Sequence, residues 1–273
     1  YYSLWGNDTL EGSLKKAGFS VDDVTDVFFT HLHFDHCGGA IKRGSFSSGF
    51  EPVFKNAVFW TNEKHWNWAL SPNKREGASF LKENLLPIEE SGRLKFITSK
   101  DGVISFASEL GFELFYADGH TEKQMIPIIS YNGQKIAFAA DLVPTAGHVP
   151  LSYIMGYDVR PLTTLEEKSF FLDYLVENNI LLCLEHDSVN EILSLKKTDK
   201  GIRINEFLNL KKLLSVNLGE KLRDLMSKQA KNITQFNEKN IQQATSSNRQ
   251  AETDQSLGAA PHAPNPNMQF ALN

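Results

Sequence analysis

Along residues 24–39 the chain passes from spaced to continuous apolar positions and then into a block of histidines: Val24, Val27, Phe28, Phe29, Thr30, His31, Leu32, His33, Phe34, Asp35, His36, Cys37 and the pair Gly38-Gly39. The apolar run predicts a short buried strand over residues 24–30, and the glycines predict a tight turn into the next element. In extended backbone, residues two apart point the same way, so His31 and His33 project together. Asp35 and His36 follow where the strand gives way to loop, facing the other side of a shared cavity. Upstream, Asp8 and Thr9 offer an N-cap to a helix with Leu10, Leu14 and Ala17 at helical spacing, and Gly18 closes it.

Downstream the pattern predicts a strand over 57–60, then a helix capped by Asn62 that holds Trp66 and Trp68 and carries His65 on its surface. A second helix is expected over 77–86, ending at Pro87. Residues 44–50, rich in Gly, Ser and Phe, read as a flexible loop of the kind that carries binding function. Short strands are expected over 94–97, 112–116, 125–130 and 135–140, with Asn132-Gly133 as a two-residue hairpin turn. Thr163-Thr164-Leu165-Glu166 reads as a capping box opening a helix to about residue 176. A buried strand over 181–184 runs toward His186, an edge strand follows over 202–207, and leucines at helical spacing predict an amphipathic helix within 208–226. Beyond Gln229 the chain turns to Gln, Asn, Ser, Ala and Pro, which predicts disorder.

The expected organisation is therefore a domain over residues 1–210, an amphipathic helix over 211–228 and a disordered tail over 229–273. The chain of 273 residues, 41% hydrophobic and 22% charged, has material for one substantial core. A mild net charge of −5 suggests no polyanion-binding surface, so no nucleic-acid partner is expected. Two cysteines build no disulfide framework, and Cys37 and Cys183 read as packing residues. No apolar run is long enough to span a membrane. The opening Tyr1-Tyr2-Ser3 lacks an initiator methionine and a signal pattern, so an N-terminal truncation is expected and the compartment is unreadable.

Three histidines and one aspartate within six positions, at the exit of an apolar strand, change the picture. Imidazole and carboxylate are the donors that suit Zn(II) and similar divalent metals. Two pairs of ligands splayed from one loop can each begin a metal site.

The spacing His-x-His-x-Asp-His over residues 31–36 resembles the signature of the metallo-β-lactamase superfamily, an αββα sandwich of α/β class that holds one or two metals. Further matches follow in the family's order: His120 in Asp118-Gly119-His120-Thr121, Asp141 after Phe138-Ala139-Ala140, and His186 in Glu185-His186-Asp187. The resemblance spans residues 10–207. It implies that His31, His33 and His120 hold one metal, that Asp35, His36 and His186 hold a second, and that Asp141 bridges both. Two Zn(II) per chain are implied, with Mn or Fe as alternatives, and a metal-bound hydroxide as nucleophile with Asp35 as its proton acceptor. With only thirty residues before the motif, the first sheet is expected to be incomplete.

Within the superfamily, His33 stands where the oxygen-reducing diiron branch carries an acidic residue, which favours hydrolysis over redox chemistry. Thr121-Glu122-Lys123 departs from the Thr-Pro-Gly-His run of glyoxalase-type thioesterases, and no basic RNA-grasping arm is visible. Leu10-Glu11-Gly12-Ser13-Leu14-Lys15-Lys16-Ala17-Gly18, the aromatic insertion after the motif and Phe34 look most like the lactonase and organophosphate-hydrolase-like branch. The expectation is hydrolysis of a lactone or ester with a hydrophobic portion. Phosphotriester, thioester and β-lactam hydrolysis are the alternatives on the same site. An inactive remnant, or an oligomer that completes the first sheet in trans, is the reading outside enzymology.

Overall fold

The computed structural model describes residues 8–44, 47, 49–98, 104–107, 110–211 and 213, all within the first of two units that divide after Leu213. Helix α1 (Leu10–Lys16) begins where Thr9 Oγ1 accepts the Gly12 amide at 3.0 Å. Glu11 in its first turn and Lys15 and Lys16 in its last complement the helix dipole. Gly18 then takes φ +89°, a conformation open to glycine at little cost.

Strand β1 (Asp26–Phe28) is shorter than residues 24–30. The chain leaves its own sheet early because the Thr30 carbonyl accepts the Met125 amide from the opposite sheet at 2.8 Å. His31 to His33 follow outside any strand, with His33 in extended backbone. The single-turn helix α2 (Phe34–Cys37) then carries Asp35 and His36, where the sequence suggested loop. The flanks of the predicted 44–50 loop pair as a hairpin, β2 (Ile41–Arg43) with β3 (Phe50–Pro52); residues 45, 46 and 48 lie outside the described ones.

Strand β4 (Val58–Thr61) leads into α3 (Glu63–Leu70), whose first turn is capped by Asn62 Oδ1 accepting the His65 amide at 2.9 Å. Helix α4 (Lys82–Glu90) starts later than predicted and carries Pro87 inside it. Burial of Leu85, Pro87 and Ile88 outweighs the one backbone bond that the proline cannot donate. Strands β5 (Leu94–Phe96) and β6 (Ile104–Ala107) follow, then the meander β7 (Phe112–Ala117), β8 (Gln124–Tyr131) and β9 (Gln134–Phe138). Asn132 and Gly133 take φ +50° and +84° at the β8–β9 turn, as a primed hairpin turn requires. Helix α5 (Pro161–Glu177) begins ahead of the expected capping box, because Pro161 occupies its first turn, where a missing N–H costs nothing. Strand β10 (Leu181–Cys183) precedes the hairpin β11 (Ile192–Thr198) and β12 (Gly201–Leu208). The helix expected within 208–226 and the tail beyond Gln229 lie almost wholly outside the described residues.

Among the described residues the first sheet has order β1-β4-β5, all parallel, and the second has order β12-β11-β10-β9-β8-β7-β6. In the second sheet β9 and β10 are parallel, which demands a long crossover, and α5 supplies it.

Alternation along single strands builds the layers. Phe59 packs with Trp66, Leu85 and Ile88 from α3 and α4, whereas its neighbour Trp60 faces Leu114, Tyr116 and Met125 of the second sheet. On β7, Phe115 and Ala117 turn the other way, onto Phe171, Leu172 and Leu175 of α5. Both faces of the central strands are thus buried, which is why they read as continuous apolar runs. The result is helix, sheet, sheet, helix. Most aromatics of the 40–98 insertion, among them Phe54, Phe59, Trp66 and Phe80, belong to this core.

Candidate metal centre

The ends of β1, β7 and β9 open onto one edge of the sandwich, and the candidate ligands gather there. His31, His33, His120 and Asp141 are all buried, and each offers one atom within 4.8 Å of the others. Asp141 Oδ2 lies 3.1 Å from His120 Nε2 and 3.7 Å from His31 Nε2. His33 turns its Nδ1 inward, 3.2 Å from His120 Nε2. A second group, Asp35, His36 and His186, meets the same distance criterion. His36 Nε2 and His186 Nε2 are 3.2 Å apart, and Asp35 Oδ2 lies 3.5 and 3.9 Å from them. Asp141 stands between the groups, its Oδ2 3.3 Å from His36 and its Oδ1 3.1 Å from His186. All seven residues singled out from the sequence are therefore brought together.

The groups differ in exposure. Asp35 and His186 have side chains 44% and 37% exposed, against 8% or less for the first group. Solvent reaches the centre from the Asp35–His186 side.

Three carboxylates that the sequence did not single out stand behind the histidines. His120 Nδ1 is 3.0 Å from Asp158 Oδ1, His36 Nδ1 is 3.0 Å from Glu185 Oε1, and His33 Nε2 is 3.5 Å from Glu76 Oε2. Glu76 is itself buried and accepts from Thr121 Oγ1, Trp68 Nε1 and Asn73 Nδ2. Asp158 and Glu185 claim the outer nitrogens of His120 and His36 and so fix which nitrogen faces inward, and Glu76 stands beside the outer nitrogen of His33. Glu76 and Asp158 come from separate loops joined by a hydrogen bond from Arg75 Nη2 to the Gly156 carbonyl at 2.7 Å. The second of these loops is held from below by Lys168, whose buried ammonium donates to the carbonyls of Pro150, Leu151 and Tyr153.

Burial and the neighbouring imidazoles of His36 and His33 hold the His31 pKa well below its ordinary value. Burial presses on Asp141 too, but hydrogen bonds from His120, His186 and His36 overcome it and keep that carboxyl ionised far below the usual range. Against the same burial, Asp141 and Glu185 raise His36 to about 10, and Asp141 and Asp158 raise His120 to about 9. The centre thus attracts positive charge strongly.

The donor set fits a divalent cation. With the outer nitrogens of His33, His36 and His120 turned to carboxylates and that of His31 to the Thr30 hydroxyl, the inner nitrogens converge as acceptors on a carboxylate that is also an acceptor. His31 Nε2 is buried there with no hydrogen-bond partner. Imidazole and carboxylate at this spacing are a zinc-type donor set. Glu185 also meets the distance criterion with His36 and Asp141, but it faces the outer nitrogen of His36 and belongs with the supporting carboxylates.

His65 corrects the expectation of a helix-surface residue. It is fully buried, and its Nε2 accepts the Leu32 amide at 2.8 Å. Cys37 is a packing residue as expected, its thiol pushed up to about 12 by burial. The two described surface grooves, of about 580 and 540 Å³, run along α5 and the β11–β12 hairpin and share no residue with the ligand groups.

Gly119 sets His120 against α5. Its amide and that of Asp118 donate to the Glu167 carboxylate at 2.9 and 2.7 Å. A Cβ at Gly119 would lie 2.5 Å from the Thr164 amide nitrogen and 2.6 Å from its Cα. That is backbone, which cannot rotate away. Gly119→Ala is expected to destabilise the fold by about 1–3 kcal/mol and to weaken metal binding; thermal unfolding and metal titration would check it, and an unchanged melting temperature would count against this packing.

An αββα sandwich with a histidine–aspartate centre at its strand ends is the architecture of the metallo-β-lactamase superfamily, and the solved structures of similar fold agree. A probable metal-dependent hydrolase from Staphylococcus aureus superposes with a TM-score of 0.61 at 21% identity, covering 73% of this chain and 67% of that one. AidC, a dizinc quorum-quenching lactonase, gives 0.59 at 22% identity, covering 73% and 70%. The hydrolase AbOPH of the beta lactamase superfamily gives 0.58 at 19%, again covering 73% and 70%. At these identities the likeness establishes the fold. The family model for anti-Pycsar protein Apyc1 matches residues 6–152, more than half of the sequence, and the chain belongs to that family. The match contains every candidate ligand except His186. No curated protein matches the chain.

Proposed function

We propose that this protein is a metal-dependent hydrolase that opens a lactone or ester bond in a small molecule with a hydrophobic portion. The observation that carries the reading is the Asp141 carboxylate, set between two groups of inward-facing imidazoles. On this reading His31, His33 and His120 hold one cation, Asp35, His36 and His186 hold another, and Asp141 is shared. Zinc suits the donors best, with manganese or iron as alternatives. Bound divalent cations supply Lewis acidity toward a carbonyl oxygen and lower the pKa of water to about 7.

The chain's own residues do the rest. Asp35, on the open side, holds the attacking water through one carboxylate oxygen, accepts its proton and passes it to the leaving alcohol. Glu76, Asp158 and Glu185 keep His33, His120 and His36 in the ligating tautomer. The buried first group excludes bulk solvent, so substrate approaches past Asp35 and His186. Tyr153 and Tyr157, exposed on the loop that carries Asp158, offer apolar surface for the hydrophobic portion.

The lactone preference draws on AidC, which was solved with the product N-hexanoyl-L-homoserine, and on the sequence features of the lactonase branch. An N-acyl homoserine lactone is thus the first substrate to test, beside ester, phosphotriester, thioester and β-lactam compounds, on zinc-loaded protein. Turnover of the lactone above all others is expected; turnover of only another class would move the substrate and keep the site. Metal analysis comes first. About two metals per chain are expected, and a protein that takes up none is the inactive remnant.

We also take residues 1–210 as the catalytic domain, with 211–228 and 229–273 as appended segments. Truncation before Gln229 should leave metal content and turnover nearly unchanged, since that segment lacks a core-forming pattern. A large loss of either would show that the tail completes the domain.

A further inference from the structure

The three histidines of the first metal group come from two separate pieces of chain, the segment after β1 with His31 and His33, and the β7–β8 loop with His120. Two hydrogen bonds and one bridging side chain join these halves or their supports. The Met125 amide donates to the Thr30 carbonyl at 2.8 Å, Asn62 Nδ2 donates to the Lys123 carbonyl at 2.9 Å, and the His65 ring reaches both sides at once. His65 Nε2 accepts the amide of Leu32, the residue between His31 and His33. Its Nδ1 donates to the carbonyl of Glu122, two residues after His120.

A carbonyl can only accept, so the Glu122 bond requires the proton on Nδ1. That leaves Nε2 bare, which is the form the Leu32 amide needs. Each bond thereby selects the ring state that the other requires. The ring is fully buried, and its own backbone amide is held by the Asn62 cap at the start of α3. Leu32 is equally buried, so no solvent replaces the ring as an acceptor for its amide. Both nitrogens of the His65 ring are taken by backbone groups, so His65 is not a member of the ligand group.

We infer that His65 is a positioning residue of the metal centre: a rigid bridge that fixes the separation of the His31–His33 pair from His120 through the backbone next to each. Ligands must sit within about 0.5 Å of working geometry, and the bridge spans the boundary where two parts of the chain would otherwise drift. The inference rests on the metal reading of the site. Nothing in it requires His65 to touch substrate or metal.

The test compares His65→Phe, which keeps a ring and removes both bonds, with His65→Gln, which keeps an acceptor and a donor. Folding is followed by circular dichroism, and metal affinity by titration of zinc against a chromophoric chelator. Cobalt(II) replaces zinc to give a visible spectrum of the centre. His65→Phe is expected to bind the first metal about 10–100-fold more weakly and to alter the cobalt spectrum, with His65→Gln recovering most of both. A folded His65→Phe protein with wild-type affinity and spectrum would overturn the inference. Should His65→Phe fail to fold, ¹⁵N chemical shifts of the wild-type ring decide: protonated Nδ1 with bare Nε2 is required, and the opposite or an averaged tautomer overturns it. A wild type that takes up no metal would end the reading of the site, while the ring's tautomer would still decide whether the bridge exists.

Discussion

Stripping divalent metal from the protein with a chelator is expected to reduce hydrolysis to the uncatalysed rate, a fall on the order of 10⁶-fold or more for a working enzyme, and added Zn(II) or Mn(II) should restore it. The reason lies in the donor set. Without a cation, Asp141 is surrounded by His36, His120 and His186 at 3.1–3.3 Å, an arrangement that binds protons and has no means of polarising a carbonyl. No serine or cysteine nucleophile stands in the described centre to supply a second route. Elemental analysis must accompany the assay, because full turnover in a protein verified to be metal-free would sink the mechanism.

The second large effect separates two jobs in one loop. Asp35→Asn keeps the size and one oxygen donor but removes the charge and the basic oxygen. It is expected to lower turnover by about 10²–10⁴-fold, with at least the first metal retained, since that group does not include Asp35. His33→Ala is expected instead to empty or weaken the first site, and it also takes the imidazole away from the buried Glu76 carboxylate. Metal content therefore tells the two lesions apart. Wild-type turnover in Asp35→Asn with two metals bound would remove Asp35 as proton acceptor and leave only its role as ligand. Small, similar effects in both variants would fit a polar loop that binds no metal.

His31, His33, Asp35 and His36 were legible because they crowd one short motif at the exit of an apolar strand, whereas His120, Asp141 and His186 were singled out through the family resemblance that the motif carries. The β8–β9 turn and the Asn62 cap were likewise legible from local sequence. Glu76, Asp158 and Glu185 were not, because each becomes meaningful only through a histidine far away in sequence: 43 residues separate Glu76 from His33 and 38 separate Asp158 from His120. His65 was misread for a related reason. The cap located its helix, but which face is buried depends on the second sheet, whose Glu122 carbonyl waits 57 residues on. Strand β11 was missed because Lys196 and Lys197 interrupt its alternation, and only the partner β12 makes the run a strand. Pro87 was taken as a stop when burial of its neighbours lets α4 run through it.

The Arg75–Gly156 hydrogen bond has a thermodynamic consequence for the proposed enzyme. It ties together the two loops that reach, through Glu76 and Asp158, the outer nitrogens of two histidines of one group. Linkage runs equally in both directions, so whatever steadies these loops favours cation uptake, and cation uptake steadies the loops by the same free energy. A substrate that leans on either loop thus reaches the electron-donating power of the centre remotely, without displacing a single donor atom.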